Sequence, residues 1–278
     1  MRRRGGKSGA SGVYGGTFTH YDSNANRMPD AIFAMSSGTG GGLVFALQES
    51  TLPGKLVLAA LFIASIFSWA VMITKYRVVR HAQRKNAAFL TQFRADRQPL
   101  RLFEAGARYE GAPLYAVYRA GCNELAFHLL GSTEVDDTFR GRLDIADPIN
   151  DAQMRAVNSA MERAVGETAL KLESQMIVLA TAVSGSPFFG LLGTVWGVMD
   201  TFSAVAQAGR ADLAAMAPGV SGALVTTVFG LLVAIPSMFG YNFMVTSIRS
   251  LVVQMDNFAA ELGSEIEHKY VAHAGRRR

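Results

Sequence analysis

The stretch Gly190-Leu191-Leu192-Gly193-Thr194-Val195-Trp196-Gly197-Val198-Met199 decides how this chain folds. It lies in an apolar run, residues 176–206, that is long enough to cross a bilayer. Glycine weakens a helix, and dissolving in lipid gives no reason to use it. Its gain in a membrane is the close approach of another backbone. Gly190, Gly193 and Gly197 recur at three- and four-residue intervals, so the helix carries one smooth face. This helix is expected to pack tightly on others and to line a path, as in a channel-type assembly. The smooth face is expected to hold the oligomer together.

Two further apolar runs flank this one. Residues 56–73 read LVLAALFIASIFSWAVMI without a charge, and residues 218–244 are also uncharged. The run at 176–206 is charged only at Asp200. Each reaches the length that reads as a membrane span. The chain is 50% hydrophobic and 18% charged, and the clustering of the apolar residues carries the signal. The expected fold is an all-α membrane protein with three transmembrane helices and long cytoplasmic helical extensions. The expected divisions are a disordered tail at 1–42, an interfacial helix at 43–54 and a first span at 55–75. A cytoplasmic helical domain follows at 76–175, then a second span at 176–206 and an outer loop at 207–217. The third span is 218–246, and 247–278 is a cytoplasmic amphipathic helix with a basic tail.

The formal net charge of +5 could suggest nucleic acid, but the positions of the charges argue for a membrane. Lys75, Arg77, Arg80, Arg84 and Lys85 directly follow the first span, the pattern of a cytoplasmic loop. The N-terminus is therefore expected outside and the C-terminus in the cytoplasm. Arg249 and Arg276 to Arg278 agree. Arg2, Arg3, Arg4 and Lys7 oppose this only weakly, being far from the span. The N-terminal segment has no apolar h-region, so it is not expected to be a cleavable signal peptide. Its glycines at 38 and 40–42 have no preceding strand and no following Gly-Lys-Ser/Thr, so no phosphate loop is expected.

In the cytoplasmic part, Val78, Val79, Ala82, Phe89, Leu90 and Phe93 recur at helical spacing. Pro99 ends that helix and Pro113 opens another. Asp147-Pro148 is expected to cap a helix that runs without interruption into the second span. Beyond the third span, Ile248, Leu251, Val252, Met255, Phe258, Leu262 and Ile266 form one stripe. Both stripes are expected to serve bundle packing. Cys122, the single cysteine, is expected to be a buried free thiol.

Few residues could carry chemistry. Gly219-Val220-Ser221-Gly222 has the look of an intramembrane serine nucleophile, yet no histidine lies in a span to serve as its base. No metal cluster accompanies Cys122. The chain is read as a non-enzyme. Thr194 and Thr227 stand out by depth. With spans centred near Leu192 and Leu231, they lie about 3 Å and about 6 Å outward of the midplane. Each hydroxyl could simply bond its own helix carbonyl. Asp200 is the only carboxylate in a span, about 12 Å outward of the midplane. An ionisable group there is a site candidate, and a solvated helix-end residue is the plain alternative. A proton path needs a titratable relay at the midplane. This chain offers hydroxyls there, so a partner would have to bring the acid.

Residues Phe189 to Met199 resemble the signature of the TolQ/ExbB/MotA proton-channel family. Ala217-Pro218-Gly219-Val220, Ala223-Leu224-Val225-Thr226-Thr227 and Gly230-Leu231-Leu232-Val233-Ala234-Ile235-Pro236 are similar to its third-helix signature. Ile63-Ala64-Ser65 with Ser68-Trp69-Ala70 resembles its first helix. The resemblance spans residues 43–267 and is nearest to TolQ and ExbB, since the MotA branch has four spans. It implies a ring oligomer, commonly a pentamer, in the bacterial inner membrane. The ring would enclose helices of a TolR/ExbD-like subunit that carries the membrane aspartate. Proton motive force, with protons as the driving ion and no cofactor, would then do work on the envelope through a TolA/TonB-like protein. Thr194 and Thr227 match the family's pore threonines, and Gly190, Gly193, Gly197 and Gly230 are expected to serve helix packing. One departure stands out: Gly222 occupies the position of a family glutamate. Asp200, at similar depth, could replace that acid. A non-conducting membrane scaffold that positions partner proteins is the alternative reading.

Overall fold

The structure, a computed structural model, describes residues 52–96, 98–135, 138–210 and 212–271. The tail expected at 1–42, most of the interfacial helix expected at 43–54 and the basic cluster at 276–278 lie outside them. The described chain is helical: α1 Leu52–Ala95, α2 Arg101–Glu104, α3 Pro113–Leu130, α4 Phe139–Asp144, α5 Asp151–Glu173, α6 Met176–Ala208 and α7 Leu213–Tyr270. Among the described residues there is no strand, only an isolated bridge between Ile149 and Val271.

Three of these helices, α1, α6 and α7, are long and apolar enough to cross a membrane. All backbone groups of such a span must be satisfied internally, which a continuous helix achieves. Helices α1 and α7 therefore do double duty, running from the span into the helical bundle beyond it as single rods. At 44 and 58 residues they are about 66 Å and about 87 Å long at 1.5 Å per residue. The buried share of the apolar stretch rises from 17% in α1 to 33% in α6 and 44% in α7. Helix α7 is thus the central element and α1 the peripheral one. Phe62, Ile66, Phe67 and Trp69 of α1 face outward, as an apolar solvent permits. Helix α1 is tied to α7 by a buried contact between Ser68 Oγ and Ser237 Oγ at 2.6 Å. The Ser237 hydroxyl donates its proton to the Val233 carbonyl (2.7 Å), which leaves Ser68 as the donor in the pair.

The core of the bundle forms where the stripes meet. Val79, Ala82, Phe89 and Phe93 are buried, Leu90 is half-buried, and Val78 of the expected stripe points outward. From α7, Ile248, Leu251, Met255, Phe258, Leu262 and Ile266 are buried. Phe89 lies within 6 Å of the rings of Phe93, Tyr109, Tyr115, Tyr118 and Phe258, so one aromatic joins α1, α3 and α7. Helix α3 has Pro113 in its first turn and no cap of its own. Asn86 of α1 supplies one instead, its Oδ1 accepting from Leu114 N–H at 3.1 Å.

The start of α5 differs from expectation. Asn150, not Asp147, caps it, because Gln153 three residues on completes a reciprocal capping box. The expected uninterrupted run from this helix into the second span is also broken, at Ser174 and Gln175. Gln175 has φ +67°, the only positive φ at a non-glycine among the described residues. Lys75 stabilises the break. It is 4% exposed, and its Nζ donates to the Leu172 carbonyl (3.0 Å) and to Ser174 Oγ (3.1 Å). A cation at these last carbonyls satisfies groups the helix leaves open and matches the sign of its dipole. Lys75 therefore fixes where α5 stops and α6 begins.

Lys75→Met should lower stability by about 1.5–3 kcal/mol, the range for hydrogen bonds to a charged group. Thermal unfolding in mild detergent measures the loss, and tryptic cleavage after Lys171 should become faster. Unchanged unfolding and cleavage would show that the break holds without the lysine.

Candidate functional site

The site is the seam between α6 and α7, and glycines set its width. A Cβ placed on Gly230 would stand 2.6 Å from the Ser186 carbonyl oxygen and 3.1 Å from Gly190 Cα. On Gly190 it would meet the Thr226 carbonyl and Thr227 Cα, both at 3.0 Å. On Gly197 it would lie 2.7 Å from Ala223 Cβ, and on Gly193 2.5 Å from Thr226 Oγ1. None of these positions has room for a side chain. The four glycines expected to pack helices do so within one chain. This corrects the expectation that the α6 glycine face holds the oligomer together: α7 of the same chain covers it, with Gly190, Gly193 and Gly197 all buried.

Close approach places polar groups of the two helices in reach of each other. Thr194 Oγ1 and Thr227 Oγ1 are hydrogen-bonded across the seam. The shared depth expected from their spacing is thus realised as direct contact. Thr194 Oγ1 also lies 3.1 Å from the Gly190 carbonyl of its own helix and 3.3 Å from the Ala223 carbonyl of α7. Thr227 Oγ1 reaches across to the Gly190 carbonyl at 3.1 Å. Bonding to the own-helix carbonyl therefore holds for Thr194 alongside its cross-helix bonds, while Thr227 turns to the other helix. Both threonines are half-buried. Their neighbours one turn away, Leu191, Leu224 and Leu231, are exposed and apolar.

A third hydroxyl was not among the sequence candidates. Thr226 is 1% exposed, and its Oγ1 lies 2.7 Å from the Ala223 carbonyl and 3.0 Å from the Gly190 carbonyl. The signal for it lay in α7: Ala223, Thr226, Gly230, Ala234 and Ser237 fall on one face of small residues, all buried. That face is the one that meets α6 and α1.

Asp200 is half-buried near the α6–α7 connection at one end of the seam. It lines a 390 Å³ cavity with Thr201, Arg210, Asp212 and Gly219. Gly222 is buried instead. The acid thus stands on α6, beside this cavity, and not at the α7 position. Ser221 lies on the exposed side of α7. Among the described residues no group of His, Cys, Asp and Glu could hold a metal ion. Cys122 is fully buried, and burial pushes its thiol up to about 12 against a smaller opposing effect of the Tyr118 bond. A thiol so protonated at neutral pH is a packing residue.

This is a multi-pass helical protein whose hydroxyls line a glycine-narrowed seam inside a span. Residues 127–257 match the sequence profile of the MotA/TolQ/ExbB proton channel family. The Tol-Pal system protein TolQ of Haemophilus influenzae is 32% identical over 208 residues, 74% of this chain and 86% of the relative. TolQ of Pseudomonas aeruginosa is 31% identical over 225 residues, 80% and 91% of the two chains. The biopolymer transport protein ExbB of Salmonella typhimurium is 29% identical over 217 residues, 77% and 82%. The chain belongs to the MotA/TolQ/ExbB family, and membership supports an energy-transduction role of the Tol-Pal or ExbB type.

Gly230→Ala should destabilise the seam by about 1–3 kcal/mol, the usual cost of overpacking. Gly185→Ala is the control: nothing lies within 4 Å of its added carbon, so it should be neutral or stabilising. Unfolding of both variants in mild detergent separates them. Equal melting would mean that the glycines do not set the spacing.

Proposed function

We propose that this chain is the ring-forming, proton-conducting subunit of an envelope motor in the bacterial inner membrane. A TolR/ExbD-like subunit supplies the membrane aspartate, and a TolA/TonB-like protein carries the work outward. The observation that carries this reading is the Thr194–Thr227 hydroxyl pair, shared by two helices at one depth. A hydroxyl can accept one proton while giving up another, but it cannot hold a charge at neutral pH. It suits passage to and from a partner carboxylate rather than storage. The half-burial of both threonines leaves the pair reachable from the side of a central helix. The ring, commonly of five, would bring the exposed apolar sides of α6 and α7 together around that helix. Asp200 beside the outer cavity would raise the local proton concentration at the mouth. The chain needs no cofactor and no catalytic residue for this role.

Orientation follows from the basic cluster after the first span, with the N-terminus outside. Cys122 is too deeply buried to report on sidedness. A cysteine at Gln207 should react with an impermeant maleimide added to the periplasmic side. One at the exposed Lys85 should not. The reverse labelling would invert the topology.

Thr194→Val and Thr227→Val preserve shape and remove the hydroxyls. Each should assemble normally and lose proton-driven activity by about tenfold or more, the equivalent of one hydrogen bond to a charged group. Wild-type activity in the double variant would reduce the pair to packing and favour a scaffold role.

A further inference from the structure

We propose that Thr226, buried behind the pair, is a positioning residue that keeps the Thr194–Thr227 hydrogen bond reversible. This rests on reading Thr194 and Thr227 as proton-path hydroxyls. The argument is a count of donors and acceptors. Three hydroxyls, those of Thr194, Thr226 and Thr227, surround two carbonyls, those of Gly190 and Ala223. Inside a helix each carbonyl already accepts one N–H and keeps one lone pair free. One hydroxyl proton makes the Thr194–Thr227 bond, and two remain for two free lone pairs.

Distances decide who takes which. Thr226 has its shortest contact, 2.7 Å, with the Ala223 carbonyl. That carbonyl is otherwise within reach of Thr194 alone, at 3.3 Å. With Thr226 on it, Thr194 and Thr227 must compete for the single lone pair of Gly190. Both stand 3.1 Å from it. The chain can therefore run Thr194 to Thr227 to Gly190, or Thr227 to Thr194 to Gly190, ending on the same acceptor at the same distance. The two directions are balanced.

Balance matters because a hydroxyl that has passed a proton points the wrong way until it turns back. A relay works repeatedly only if both orientations cost about the same. Removing the Thr226 hydroxyl would open the Ala223 carbonyl to Thr194 but not to Thr227. Thr227 would then remain the donor in the pair, and the relay would be biased one way.

The test uses the full chain, copurified with its TolR/ExbD-like subunit and reconstituted in vesicles holding a pH-sensitive dye. Thr226→Val keeps the bulk that packs against Gly193 and loses the hydroxyl; Thr226→Ala loses it with less bulk; Thr226→Ser retains it. Val and Ala should lower proton flux by about threefold to tenfold, the worth of one net hydrogen bond. They should also enlarge the H2O/D2O isotope effect, with oligomer size unchanged. Ser should restore both readouts, which a packing role would not predict. Wild-type flux and isotope effect in Val and Ala, with Thr194→Val blocked, would overturn the role of Thr226 alone. Wild-type flux in Thr194→Val would overturn the parent reading, and this one with it.

Discussion

The structure depends on the absence of a hydrophobic driving force between helices in lipid. Side chains of α6 and α7 gain nothing by leaving an apolar solvent for one another, so association must come from close backbone contact and polar bonds. Gly190, Gly193, Gly197 and Gly230 supply the first, and the threonines they admit supply the second. Thr227 reaches the Gly190 carbonyl only because no side chain stands between the helices at Gly190 and Gly230. Packing and the candidate proton path are thus one feature. A change that widens the seam also separates the hydroxyls.

The same seam must be held steady against the helical bundle into which residues 247–270 of α7 extend, about 36 Å of helix at 1.5 Å per residue. Two devices connect the regions. The rods α1 and α7 pass through without a break and share the aromatic cluster around Phe89 and Phe258. Helix α6 does not; it is set off from α5 at Gln175, and Lys75 of α1 holds the end of α5 just before it. Of the two seam helices, α7 is therefore continuous with the bundle and α6 is not.

Much of this was legible in the sequence because lipid permits few solutions. Uncharged runs of 18 or more residues had to be helices, and the stripe from Ile248 to Ile266 had to face a core. The common depth of Thr194 and Thr227 followed from helical rise alone. Other features had no such constraint. The segment around Ser174 and Gln175 contains no glycine or proline, so nothing local marks a break; a lysine 99 residues before Ser174 stabilises it. Asp147 and Asn150 are both good caps, and Gln153 selects the second. A smooth glycine face announces close approach without naming the partner, which proved to be α7 of the same chain. Thr226 stands in the third-helix motif beside Thr227, and the small-residue face of α7 is what marks it as buried at the seam.

The central claim is that this chain provides hydroxyls and its partner provides the acid. Proton influx into vesicles under an imposed pH gradient tests it most directly, with the chain alone, with a TolR/ExbD-like subunit, and with that subunit's membrane aspartate replaced by asparagine. The account predicts influx only with the intact partner and background rates in the other two cases. Equal influx by the chain alone would contradict it, because the path would then need no carboxylate from outside.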